Sequence, residues 1–159
     1  MCIRDSLLVR SGGPICRCGS IGCLEQAAGQ EAILRQAGVA SAEELLRRLA
    51  ADRRRSVLAV QQAGGHLGVG LAGMLNVLDV DTVVLGGSYA ALAPWLVGPV
   101  QRELDARVVS SGWQLVRLLV SELGAEAAVR GAAGSVVRRV ITHPAGQSGL
   151  LRSGAEARR

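Results

Sequence analysis

The chain has 159 residues, 49% of them hydrophobic, with a formal net charge of +5 and an isoelectric point near 9.8. That is the length of one domain with a real core, and no uninterrupted apolar run approaches the roughly 20 residues of a membrane span. Every lysine-or-arginine position is arginine and the arginines are scattered. With aromatics at 2%, a stacking platform for single-stranded nucleic acid is excluded and the basicity is weak grounds for a polyanion partner.

The opening Met1-Cys2-Ile3-Arg4-Asp5-Ser6 has no apolar segment suited to a secretory signal. Clustered thiols without an export signal imply a reducing compartment, so the cytoplasm is the expected location. Leu7-Leu8-Val9 is a short strand-like run leading into the turn residues Ser11-Gly12-Gly13-Pro14.

Then comes the stretch richest in chemistry, Cys16-Arg17-Cys18-Gly19-Ser20-Ile21-Gly22-Cys23-Leu24-Glu25. Three of the four cysteines fall here, and Gly19 and Gly22 let a short loop fold back on itself. A glycine-punctuated loop can aim several thiolates at one tetrahedral zinc ion, at about 2.3 Å each. A metal knuckle formed by Cys16, Cys18 and Cys23 is therefore favoured over three buried free thiols or a disulfide. Its fourth ligand is missing.

Residues 25–37 read as a helix stopped by Gly38. Ser41-Ala42-Glu43-Glu44 forms a capping box before Leu45, Leu46 and Leu49, which starts a second helix. A third begins near Arg54 or Arg55 and runs to about Leu78. It contains Gly64, Gly65, Gly68, Gly70 and Gly73, each costing about 1 kcal/mol relative to alanine. Such a helix persists only if packing compensates, which predicts close approach of a sheet or a nucleotide. His66 within it is expected to be structural or on the surface rather than a metal ligand. The run Arg53-Arg54-Arg55 reads as a solvated helix entry rather than a phosphate clamp.

Asp81-Thr82-Val83-Val84-Leu85 is a β-branched strand closed by Gly86-Gly87, apolar enough to be buried on both faces. A helix over residues 93–108 follows, with Pro94 placed to start it and Pro99 marking a kink or restart. A second strand, 114–120, leads through Leu123-Gly124 into a last helix, 126–141. This order predicts a parallel α/β layer. From His143 the sequence is rich in Gly, Ser and Arg without periodicity, which predicts a surface histidine and a flexible tail. Two glycines at the carboxyl end of a parallel strand permit close approach of a phosphate or nucleoside, although a tight turn alone explains them equally well.

The cysteine run resembles the zinc loop of the ROK family (repressors, open reading frames and sugar kinases), whose pattern is Gly-x-x-Cys-x-Cys-Gly-x-x-Gly-Cys-x-Glu. Gly13, Cys16, Cys18, Gly19, Gly22, Cys23 and Glu25 all match. The family's zinc histidine, ten residues before the first cysteine, falls at Ser6, and the sugar-contacting glutamate beside it is absent. The segment from Leu75-Asn76 to Gly86-Gly87 resembles the family's Leu-Asn-x-x-x-Pro-x-x-Val-x-x-Gly-Gly, with Val80 in place of the proline and Ser88 in place of the kinases' third glycine. Gly124 to Gly134 looks like the family's final helix.

The resemblance covers about residues 7–141. It implies an α/β fold: the C-terminal lobe of an actin-like, hexokinase-type (ribonuclease H-like) ATPase fold with a zinc-knuckle loop at its start. The expected organisation is residues 1–6 non-native, a zinc loop at 7–25, a helical cover at 26–53, an α/β layer at 54–141 and a tail at 142–159. It further implies that Glu25 binds sugar hydroxyls, that Gly86 and Gly87 line an ATP cleft, and that the metal is structural Zn2+. No residue here matches the family's aspartate base, so no catalytic residue is assigned and the chain alone is not expected to be an active kinase.

Two functions are then expected of the parent protein. The favoured one is a sugar-responsive transcriptional regulator, in which this chain is the effector-binding, dimerising half and DNA is reached only through an absent N-terminal domain. The alternative is an ATP- and Mg2+-dependent sugar kinase of which this chain is the C-terminal half. A third reading is a structural remnant with weak zinc binding.

Overall fold

The structure is a computed structural model and describes residues 7–109 and 115–143. The expectations for residues 1–6, including Ser6, for Gln114 and for the tail beyond His143 lie outside the described residues.

No strand forms at residues 7–9. Leu8 instead makes an isolated antiparallel bridge with Cys23, with Val9 N–H donating to the Gly22 carbonyl (3.0 Å) and Leu24 N–H to the Leu7 carbonyl (2.7 Å). This bridge closes the cysteine loop against the first helices. The single helix expected over 25–37 is two, α1 (Leu24–Ala28) and α2 (Gln30–Ala37). The break falls at Gly29, whose backbone is extended at ψ 157°. A Cβ there would collide with the carbonyl and carboxylate of Glu25, so the turn depends on a residue without one.

Gly38 ends α2 in the left-handed conformation, as the sequence predicts, and Arg55 Nε donates to the Gln36 carbonyl (3.0 Å) at that end. A guanidinium there satisfies a terminal carbonyl and opposes the negative end of the helix dipole. The capping box forms at the start of α3 (Ala42–Ala50). Ser41 Oγ accepts from Glu44 N–H and a Glu44 carboxylate oxygen accepts from Ala40 N–H, both at 3.2 Å. The backbone donation from Ala40, and after it the neighbouring Arg48, holds the Glu44 carboxyl below its ordinary pKa against the opposing effect of burial.

Helix α4 (Arg54–Leu78) has the expected bounds, but two of its glycines, Gly64 and Gly68, meet a helix rather than a sheet. That helix is α5 (Ser88–Arg107), while Gly70 packs against Leu7, Val9 and Leu24, and a Cβ at Gly65 or Gly73 would meet nothing within 4 Å. A Cβ at Gly68 would lie 2.6 Å from Glu103 Cβ and 2.9 Å from the Val100 carbonyl oxygen, and one at Gly64 would lie 3.0 Å from Pro99 Cβ. Close helix contact is what offsets the low helix propensity of glycine here. Leu96, Val100 and Leu104 form one fully buried stripe of α5, at the i, i+4 spacing of one helix face, and join Val60, Ala63, Leu67, Ile33 and Leu49 in the core.

Helix α5 starts at Ser88, earlier than expected, so Pro94 lies inside it beside Pro99 and starts nothing. Gly87, at φ 59° and ψ −136°, is the N-cap that turns the chain from strand to helix directly. Strands β1 (Thr82–Leu85) and β2 (Arg117–Val120) pair in parallel, Thr82 opposite Arg117 and Leu85 opposite Val120. The expectation that β1 is buried on both faces is corrected. Leu85 is 4% exposed but Val84 is 60% exposed, because the helices cover one face of this two-stranded sheet and no described element covers the other. The last helix is preceded by a 3-10 turn (Gly124–Glu126) and runs as α6 (Ala127–Thr142), with no buried residue. Among the described residues no helix is long and apolar enough to cross a membrane.

Candidate functional site

The cysteine loop depends on Gly22. Its φ of +85° is rarely adopted by residues with a side chain, and a Cβ there would overlap the Arg10 carbonyl oxygen. The chain therefore closes tightly, aided by the Ile15–Ile21 bridge and by Cys16 N–H donating to the Ser20 carbonyl (2.8 Å). The result brings the thiols of Cys16, Cys18 and Cys23 to within 4.8 Å of one another. Cys18 and Cys23 Sγ are 3.4 Å apart. Sulfurs bound to one tetrahedral ion at about 2.3 Å sit about 3.8 Å apart, so the three thiols suit one shared ion.

Cys23 is 1% exposed. Burial, with hydrogen bonding from the Cys18 and Cys16 thiols, pushes its pKa up to about 12. An ion binding there must displace that proton, and the bond to the metal is what stabilises the thiolate. Among the described residues no histidine, aspartate or glutamate joins the three cysteines. His66 is half-buried on α4, and its pKa is lowered by burial and by the nearby Arg10, with Glu103 opposing; it takes no part in the cluster.

Glu25 follows directly, exposed in the first turn of α1. It lines two spaces. One is a pocket of about 100 Å³ shared with Cys16 and Arg17; the other is a cavity of about 790 Å³ shared with Gly86, Gly87, Tyr89 and Gln30. The residues singled out in the sequence at 25 and at 86–87 thus meet on one wall-to-wall cavity, with the cysteine loop behind Glu25. Glu25 is the one carboxylate lining the larger cavity among the described residues. Gly87, Ser88 and Tyr89 at the start of α5 also line this cavity; α5 has no side-chain cap, and its Ala90 N–H donates to the Gly87 carbonyl (3.2 Å). Gln30, Gly87 and Ser88 also border a second, apolar cavity of about 660 Å³ lined by Leu34, Leu45 and Ala91.

Two contributors escape sequence reasoning. Gln30 becomes a cavity residue only through the break at Gly29. Tyr89 donates from Oη to the Ala28 carbonyl (2.9 Å) across 61 residues, a pairing with no local signal.

A profile of the ROK family matches residues 7–139. Over 129 residues the chain is 29% identical to the xylose repressor of Bacillus subtilis, an alignment covering 79% of this chain and 34% of the repressor. Among solved structures, the ROK hexokinase of Thermus thermophilus matches with a TM-score of 0.65 and 34% identity, covering 83% of this chain and 46% of that one. The ROK family glucokinase of Streptomyces griseus, in complex with glucose and AMPPNP, matches with a TM-score of 0.71 over 82% of this chain and 49% of that one; at 20% identity this is a likeness of fold. The chain thus spans about a third of the repressor and just under half of either kinase.

Proposed function

Since the chain belongs to the ROK family, we propose that it is the sugar-binding effector region of a ROK-type transcriptional regulator. The observation that carries this reading is the shared cavity of Glu25 with Gly86 and Gly87, buttressed by the cysteine loop behind Glu25. A carboxylate accepting two sugar hydroxyls forms charge-assisted bonds, stronger than neutral ones. The zinc-knuckle assignment belongs to the same proposal: Cys16, Cys18 and Cys23 supply three thiolates, and the ion when bound cross-links the loop so that α1 holds Glu25 toward the cavity. Gln30, Ser88 and Tyr89 are further polar residues lining that cavity.

The regulator reading rests on Ser88 at the position of the kinases' third glycine. In the parent protein this region is the dimerising half, cytoplasmic, with DNA contact made elsewhere. The kinase alternative is favoured by one feature: the apolar cavity bordering Gly87 and Ser88 is roomy enough for a nucleoside.

The test is thermal denaturation and calorimetry with D-xylose and with D-glucose, on the wild type and Glu25→Gln. One of the sugars is expected to raise the wild-type melting temperature, and Glu25→Gln to weaken binding about tenfold or more, as loss of charge-assisted bonds implies. No response to either sugar rejects the effector reading. Sugar-dependent ATP consumption by the purified chain replaces it with the kinase.

A further inference from the structure

We propose that Tyr89 is a positioning residue that sets the spacing between Glu25 and the Gly86-Gly87 turn. The inference rests on the sugar-site reading for its consequence, though not for its geometry. Tyr89 is the second residue of α5, immediately beyond the glycine turn, and its ring packs against the core. Its hydroxyl donates to the Ala28 carbonyl at 2.9 Å. Ala28 is the last residue of α1, the five-residue helix whose first turn carries Glu25.

The location of that bond gives it leverage. In one continuous helix the Ala28 carbonyl would accept from Ala32 N–H, but the extended backbone at Gly29 interrupts the ladder. A helix of five residues has too few internal bonds to hold its own position. Leu24 N–H bonded to the Leu7 carbonyl ties down its start, and the Tyr89 hydroxyl ties down its end. Tyr89 itself lines the 790 Å³ cavity, and although Ala28 is buried, Glu25 and Gly29 on either side of it border the same cavity, as do Gly86 and Gly87. Removing the hydroxyl frees the end of α1 and lets the Glu25 carboxylate move relative to the glycine turn, while the ring continues to fill its place in the core.

Tyr89→Phe separates the two roles. The first measurement is amide hydrogen exchange without ligand. The brace predicts exchange at residues 24–30 about three- to tenfold faster in the variant, in line with the loss of one hydrogen bond, and unchanged exchange along α4. Equal rates at residues 24–30 overturn the proposal. The second is affinity for D-xylose and D-glucose. For whichever sugar the wild type binds, Tyr89→Phe is expected to weaken binding about three- to tenfold, with the ligand-free melting temperature nearly unchanged. A lowered melting temperature with unchanged affinity marks a structural contact only and overturns the positioning role. If the wild type binds neither sugar, the effector reading fails, and the exchange rates still decide the brace.

Discussion

Asn76 holds the end of α5 from the end of α4: its Nδ2 donates to the Arg107 carbonyl at 3.0 Å, and its Oδ1 accepts from Val109 N–H, also at 3.0 Å. One amide side chain thus satisfies a terminal carbonyl of α5 and fixes the chain leaving it. Asn76 belongs to the Leu-Asn pair matched to the family pattern, and its role here is to join the two longest helices where both end. Asn76→Ala is expected to lower stability by about 1–2 kcal/mol, two modest net hydrogen bonds. Urea denaturation measures it, and a midpoint matching the wild type would show that both bonds are replaced by water without loss.

The two loop glycines, Gly19 and Gly22, separate backbone strain from collision. Both have positive φ, +89° and +85°, but a Cβ at Gly19 meets nothing within 4 Å whereas one at Gly22 overlaps the Arg10 carbonyl oxygen. Gly19→Ala should therefore cost about 1 kcal/mol of strain, and Gly22→Ala about 2 kcal/mol or more, because the Leu8–Cys23 bridge must also open. If the proposed zinc is bound, metal content read by elemental analysis should follow the same order, Gly22→Ala losing most of it and Gly19→Ala retaining it. Equal losses in the two variants would refute the collision argument.

His66 makes stability depend on pH in a defined direction. Burial, then Arg10, lower its pKa in the folded chain, with Glu103 opposing. The unfolded chain, with a histidine pKa of about 6.5, takes up the proton first as pH falls. The stabilising effect of the neutral ring is therefore complete above about pH 6.5, declines as pH falls from there toward the folded pKa, and is gone below it. Melting temperatures at pH 7.5 and 5.5 should fall less for His66→Gln than for the wild type; parallel falls would show that other groups set the slope.

Much of the chain was legible because its signals are local. The Ser41–Glu44 box, the Gly38 stop and the start of α4 near Arg54 each depend on residues within one turn of each other, and all appear where the pattern puts them. The β1–Gly86-Gly87–helix order likewise predicted a parallel pair. Boundaries failed where a distant or steric partner decided them. The extended backbone at Gly29 splits the first helix, in a place where Glu25 leaves no room for a Cβ, and the turn at Gly87 launches α5 before either proline is reached.

The sequence by itself determined the thiol cluster: three cysteines and two loop glycines within eight residues fold over so short a path that their own spacing largely decides the outcome. It also determined the family. Only the tertiary structure decided that Gly64 and Gly68 of α4 admit a helix rather than a sheet, that β1 is covered on one face, and that Glu25 and Gly86-Gly87 border the same cavity with Tyr89 between them. Those relationships join residues tens of positions apart. They depend on how α4 and α5 pack and where the chain returns, and local propensity carries no information about either.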